Sequence, residues 1–291
     1  MATVPVGQWP EDAVYDPGSD RLFVADEGSA TVTVLGSAGE RVGAIRLATR
    51  ARHLAVDPAL GHLYAPNEGS AFVAAFNTRD LTERFRVPLG RQPHGIAVDS
   101  ASHRAFVGSE GEDSLTAFDG RTGQVLFTVP VGKGPGGVSV DPVTGRVFVV
   151  SVKEDRVIVV DGRTGLTLAK IQVGRGPTHL RVNGETGAVY VLNTEAGSVT
   201  VLDGRKERPL ATISVGNYPI GIALDDRAGR AYVVNNRGST LSIVAEATLT
   251  VVATRRIPQN VSSVALNPGA GLLYLALKSE DRAVLIRMRD L

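Results

Sequence analysis

With 291 residues, 43% apolar and 21% charged, the chain has the make-up of a globular protein and is long enough for one large domain or two ordinary ones. A formal net charge of +1 provides no whole-molecule field for nucleic acid or an anionic membrane, and the lack of cysteine excludes disulfides, thiolate metal sites and cysteine nucleophiles. No apolar run reaches the roughly 18 residues that a membrane-spanning helix needs. The opening Met1-Ala2-Thr3-Val4-Pro5-Val6-Gly7 lacks the basic-then-apolar order of a signal peptide. As written the chain reads as cytoplasmic, or as exported if residues have been trimmed from its start.

One sentence is written seven times along the chain. It closes on Asp16, Asp57, Asp99, Asp141, Asn183, Asp225 and Asn267, with a first interval of 41 residues and five of 42. Seven residues after each of these anchors stands an aromatic: Phe23, Tyr64, Phe106, Phe148, Tyr190, Tyr232 and Tyr274. Such a fixed period marks a repeat protein, whose units cannot each hold a core alone.

Each unit reads as four short strands. Strand A ends at the anchor, as in Gly95-Ile96-Ala97-Val98-Asp99, and an Asp-Pro or Asn-Pro turn follows in several units, as at Asp57-Pro58, Asp141-Pro142 and Asn267-Pro268. Strand B carries the aromatic, as in Arg146-Val147-Phe148-Val149-Val150. A polar B–C loop leads to strand C, as in Arg156-Val157-Ile158-Val159-Val160. Asp-Gly-Arg-Thr-Gly, at Asp119 and again at Asp161, then signals a hairpin into strand D. Four strands per unit, without helical periodicity, predict an all-β, seven-bladed propeller as a single domain over residues 1–291. The last unit stops at Leu291 after strand C. Ala2-Thr3-Val4-Pro5-Val6-Gly7 matches strand D of another unit, Phe127-Thr128-Val129-Pro130-Val131-Gly132, so the first residues are predicted to complete the last blade and remove two exposed sheet edges.

Val215-Gly216-Asn217-Tyr218-Pro219, the anchor Asp225 and Tyr232-Val233-Val234-Asn235 resemble the YVTN-type repeat of YncE-like and lactonase-like propellers, over the whole chain. That resemblance implies the fold. It leaves function open between binding proteins, surface antigens, lactonases and lyases.

The D–A and B–C loops share one face of the disc, where the units stop agreeing. Four residues before the anchors stand Asp12, His53, Gly95, Gly137, His179, Gly221 and Ser263; two before stand mostly small residues, with Arg181 in the fifth unit. Five before stand Glu11, Arg52 and His94 among others. Three of five histidines therefore gather at the mouth of the innermost strands, while His62 and His103 fall in the A–B turns of the other face. Imidazoles and carboxylates converging on an axis fit either a divalent metal, with Glu11, Asp12 and His53 as ligands, or acid–base work by His94 and His179. The plainer alternative is a set of solvated residues around a water-filled channel. Arg181, a cation among small inner residues, needs a partner: Asp12, Glu11 or a bound anion.

Farther out, Arg91, Lys133 and Arg175 occupy one loop position in three adjacent units, with Arg52 extending the arc. They suit a carboxylate, phosphate or polyanion unless Glu110, Glu112, Asp113, Glu154, Asp155 and Glu195 neutralise them. Trp9 and Tyr218 on the same face are candidates to stack on a ligand ring. Two functions follow. One is a monomeric binding propeller taking a small anionic molecule, or a protein or polymer segment, on the loop face. The other, by resemblance to streptogramin-lyase and lactonase propellers, is a lyase or hydrolase assisted by Mg, Mn, Ca or Zn, with Arg181 holding a developing oxyanion. Near-zero net charge argues against nucleic acid.

Overall fold

The computed structural model describes residues 2–291 and contains seven four-stranded antiparallel sheets. Each sheet is one repeat in the order A, B, C, D, so blade 1 is Pro10–Asp16, Arg21–Asp26, Thr31–Gly36 and Arg41–Arg46. The A strands of neighbouring blades lie against one another around the axis. Among the described residues, helix is confined to four short 3-10 turns, three of them in the B–C loops of blades 2 to 4. No helix is long and apolar enough to cross a membrane.

The ring closes as the sequence predicts. Ala2–Pro5 pairs antiparallel with strand C of blade 7, Ala2 opposite Leu285 and Val4 opposite Ala283. The Val6 N–H then donates to the Asp281 carbonyl at 2.9 Å. Side chains fasten the same seam, with the Trp9 N–H donating to Asp281 Oδ1 at 2.9 Å and Ser262 Oγ donating to the Pro10 carbonyl at 2.7 Å.

The repeated aromatic has a specific task. The buried apolar residues fall into seven clusters, each spanning two neighbouring blades, and each cluster receives one of the seven aromatics. Phe106 of blade 3, for example, packs with Val138, Val147 and Ile158 of blade 4. Tyr274 joins the closing cluster with Ala13, Leu22 and Val24 of blade 1. A twisted four-stranded sheet cannot bury both faces alone, so the cohesion of the ring is inter-blade packing.

The aromatic also explains the glycine of the Asp-Gly turn. A Cβ on Gly120 would stand 2.5 Å from the Tyr64 hydroxyl of the preceding blade. That hydroxyl donates to the Gly120 carbonyl at 2.9 Å. Close approach, rather than a left-handed φ, fixes glycine there. The anchors behave as turn residues. Asp16 accepts from the Gly18 N–H at 3.0 Å and Asp141 from the Val143 N–H at 2.9 Å.

Candidate functional site

The A strands share an irregularity that sequence periodicity does not reveal. In six blades the A–B register shifts between the residue six before the anchor and the residue three or four before it, as between Pro10 and Asp12, Pro93 and Ile96, and Pro177 and His179. In blade 2 the strand is shorter, Ala55–Asp57, so Arg52 and His53 precede it. A bulge opposes two residues to one and re-aims side chains. The residue five before the anchor thus joins the one four before it at the mouth. His94 reaches the axis by this route, alongside His53 and His179.

Glycine elsewhere makes room for this meeting. A Cβ on Gly95 would fall 2.1 Å from the Gly136 carbonyl oxygen, and one on Gly137 2.9 Å from the His179 Cα. Where the strands carry side chains instead, those chains turn into a cavity of about 330 Å³. Its polar lining includes Asp12, His53, His94, His179, Arg181 and Ser263, with Glu11 and Arg52.

The three imidazoles pack edge to face. The His53 ring centre is 4.6 Å from that of His94 and 4.9 Å from that of His179. Asp12 lies beneath them, buried, with Oδ2 3.5 Å from His53 Nδ1 and accepting the Leu54 N–H at 3.2 Å. Burial alone would raise the Asp12 carboxyl. The His53 hydrogen bond and charge, then the Arg181 charge, outweigh it and hold the carboxyl below the usual range. Burial lowers His94 well below the ordinary imidazole value, helped by the charges of His53, His179 and Arg52. Burial, then His53 and Arg181, brings His179 down to about 3. At neutral pH both are uncharged, each with one donor and one acceptor nitrogen. Nδ1 of His94, Nδ1 of His179 and Oγ of Ser263 are buried without a hydrogen-bond partner.

The depressed value of His179 carries a stability consequence. An unfolded histidine protonates near 6.5, so stability from the neutral folded form is complete above that pH and is lost as pH falls from 6.5 toward about 3. His179→Gln is expected to flatten the fall in melting temperature across that window relative to the parent chain. Parallel curves in a pH series of thermal melts would contradict this.

Arg181 has none of the protein partners that the sequence reading offered. Nη1 donates only to the neighbouring Leu180 carbonyl at 3.2 Å, and among the described residues no carboxylate lies within 4.0 Å of its guanidinium. Glu11 and Arg52 also line the cavity, but rim charges engage both. Lys278 Nζ holds Glu11 at 2.6 Å and Glu27 at 2.9 Å, and Arg52 Nε pairs with Glu27 at 3.0 Å and Glu68 at 3.5 Å. This rim network ties blades 7, 1 and 2. Among the described residues no three His, Asp or Glu side chains are set to hold a metal ion. Asp12 and His53 stay together, while Glu11 stands with Lys278.

A family model described as outer membrane protein assembly factor BamB matches residues 68–269. The chain belongs to that family. The chain also resembles a solved structure, hydrazine synthase of Kuenenia stuttgartiensis. That chain is 19% identical, with 96% of this chain and 95% of that one covered and a TM-score of 0.76. At that identity the likeness concerns the fold. No curated protein matches the chain.

On the loop face of this BamB-family propeller the cationic arc is largely compensated. Arg91 lies 3.7 Å from Glu112 and Arg175 3.8 Å from Glu195, all of them solvent-exposed, so the pairs are weak and locally neutral. Lys133 is exposed. Trp9 and Tyr218 occupy matching loop positions, both with left-handed backbones, φ 53° and 63°. Gly134 and Gly176 stand there in blades 4 and 5. Bulky residues in this region are strained by about 1–3 kcal/mol. Tyr218 lines the cavity with Arg237 stacked on its ring at 3.8 Å, whereas Trp9 is 59% exposed.

Proposed function

We propose that this propeller is a binding protein whose channel mouth takes a small anionic molecule. The observation that carries the reading is the guanidinium of Arg181, without a carboxylate partner, beside uncharged imidazoles with open hydrogen-bonding atoms. Arg181 is partly buried, and a partly desolvated cation without a counter-charge gains from an anionic guest. Tyr218 lines the cavity, with Arg237 over one face of its ring, and the exposed Trp9 is a further stacking candidate on the same loop face. The likeness of the repeat to YVTN-type propellers is consistent with a ligand held on the loop face. The family's description as an assembly factor favours a protein segment as the alternative occupant of that face.

A second reading, hydrolysis or elimination, is favoured by one observation. His53 is backed by the Asp12 carboxylate and faces two neutral imidazoles, an arrangement suited to proton transfer. Its metal-assisted form requires Glu11 to leave Lys278.

A thermal-shift series separates these readings. Small anions are expected to raise the melting temperature of the parent chain and to leave the His179→Ala, Arg181→Ala double variant unmoved, since a ligand of the folded state alone must stabilise it. Stabilisation by Mg²⁺, Mn²⁺, Ca²⁺ or Zn²⁺ that EDTA reverses would instead favour the metal-assisted reading. Equal shifts by anions in both proteins would remove the mouth from the account.

A further inference from the structure

The cavity has two unlike walls. Blades 1, 2, 3 and 5 contribute Asp12, His53, His94, His179 and Arg181, while Val152, Ile220, Ile222 and Val264 supply an apolar side. Arg181, Ile222 and Val264 also line a second cavity of about 280 Å³, whose other walls are Ala13, Val14, Tyr15 and Asp226 nearer the A–B turns. Arg181, with Ile222 and Val264, therefore borders both cavities.

We propose that the guest of the mouth is a monocarboxylic acid with a compact apolar body, its carboxylate set down on Arg181 and its body against Ile220, Ile222 and Val264. This inference rests on the binding reading above and narrows it to one ligand class.

Charge bookkeeping selects the class. Two guanidiniums and two carboxylates line the cavity: Arg52 pairs with Glu27 and Glu68, Glu11 pairs with Lys278, Asp12 is engaged by the Leu54 N–H and by His53, and Arg181 alone has no carboxylate within 4.0 Å among the described residues. A single negative charge would give Arg181 the close partner it lacks. A phosphate dianion would bring two charges to one free cation with Asp12 close by. An ammonium group would meet Arg181 with no free carboxylate to receive it. A carboxylate, by contrast, matches the planar fork of a guanidinium.

Two further observations point to a guest with oxygen acceptors. Ser263 is 7% exposed, and its hydroxyl is buried without a partner at this cavity. His94 and His179, neutral and each with an unpartnered Nδ1, can turn a donor or an acceptor toward the guest without charge repulsion. The apolar wall then calls for a hydrocarbon body, and about 330 Å³ suits a single ring or a short branched chain rather than a nucleotide.

The test is calorimetric titration of the full chain with benzoate, phenylacetate and 4-methylpentanoate, against benzamide, benzylamine and inorganic phosphate. Acids are expected to bind at least tenfold more tightly than the amide, the amine and phosphate. Arg181→Gln, which keeps most of the volume and removes the charge, is expected to weaken acid binding at least tenfold. Arg181→Lys, which restores the charge without the fork, is expected to recover part of it, and thermal melts confirm that both variants fold. Amide, amine or phosphate binding as tight as that of the acids would overturn the ligand class while leaving the mouth as a binding site, whereas acid binding indifferent to Arg181→Gln would put the acid away from Arg181 and overturn the inference. If no compound binds the parent chain, the inference and the binding reading fall together.

Discussion

Removing residues 1–7 is expected to lower the melting temperature by roughly 5–15 °C and to make the chain associate. The segment supplies the fourth strand of blade 7, pairing with Arg282–Arg287 over four residues. Val4 and Val6 pack on the closing cluster formed by Leu285, Ala283 and Tyr274 of blade 7 with Ala13 and Leu22 of blade 1. Lost apolar burial and strand pairing amount to roughly 2–4 kcal/mol. The bared edge of strand C would then offer unpaired backbone groups to another chain. The rim ion pairs of Lys278 remain in the deletion, but they are partly exposed and cannot replace a strand. A deletion that melts with the full chain and elutes at the same size would contradict the ring closure.

Gly95→Ala is expected to cost about 3 kcal/mol of stability and to weaken any mouth ligand at least tenfold. The new methyl would lie 2.1 Å from the Gly136 carbonyl oxygen and 3.1 Å from the Val138 nitrogen, so two backbones must part rather than one side chain turn aside. His94 is the neighbouring residue, and its ring contact with His53 at 4.6 Å depends on the strand that would move. Gly43→Ala is a suitable control, because its methyl would meet only the flexible end of Leu81 at 2.9 Å. Thermal melts that treat the two substitutions alike would show that close packing of the inner strands does not set the mouth.

The propeller was legible because its determinants repeat. The anchor residues and the aromatic seven positions later recur in fixed phase, and each aromatic lands in one inter-blade cluster. The site was legible in part. The departures His53, His179 and Arg181 from a small-residue default stood out in the alignment of the units. The position of His94 in the unit places it with them, but the bulge that brings it there shifts a strand by one residue without a signature in alternation. The fate of the charges was not legible. Glu11 meets Lys278 across 267 positions and Arg52 meets Glu27 across 25, pairings set by ring closure and side-chain reach rather than by any period. For the same reason the arc of Arg91, Lys133 and Arg175 looked bare in sequence and is mostly compensated in space.

The most direct test of the channel mouth is a crystal structure of the full chain grown with benzoate. A carboxylate is expected within hydrogen-bonding distance of both terminal nitrogens of Arg181, with the ring against Ile222 and Val264. Arg181 turned onto Asp12, with only water between the three histidines, would contradict it.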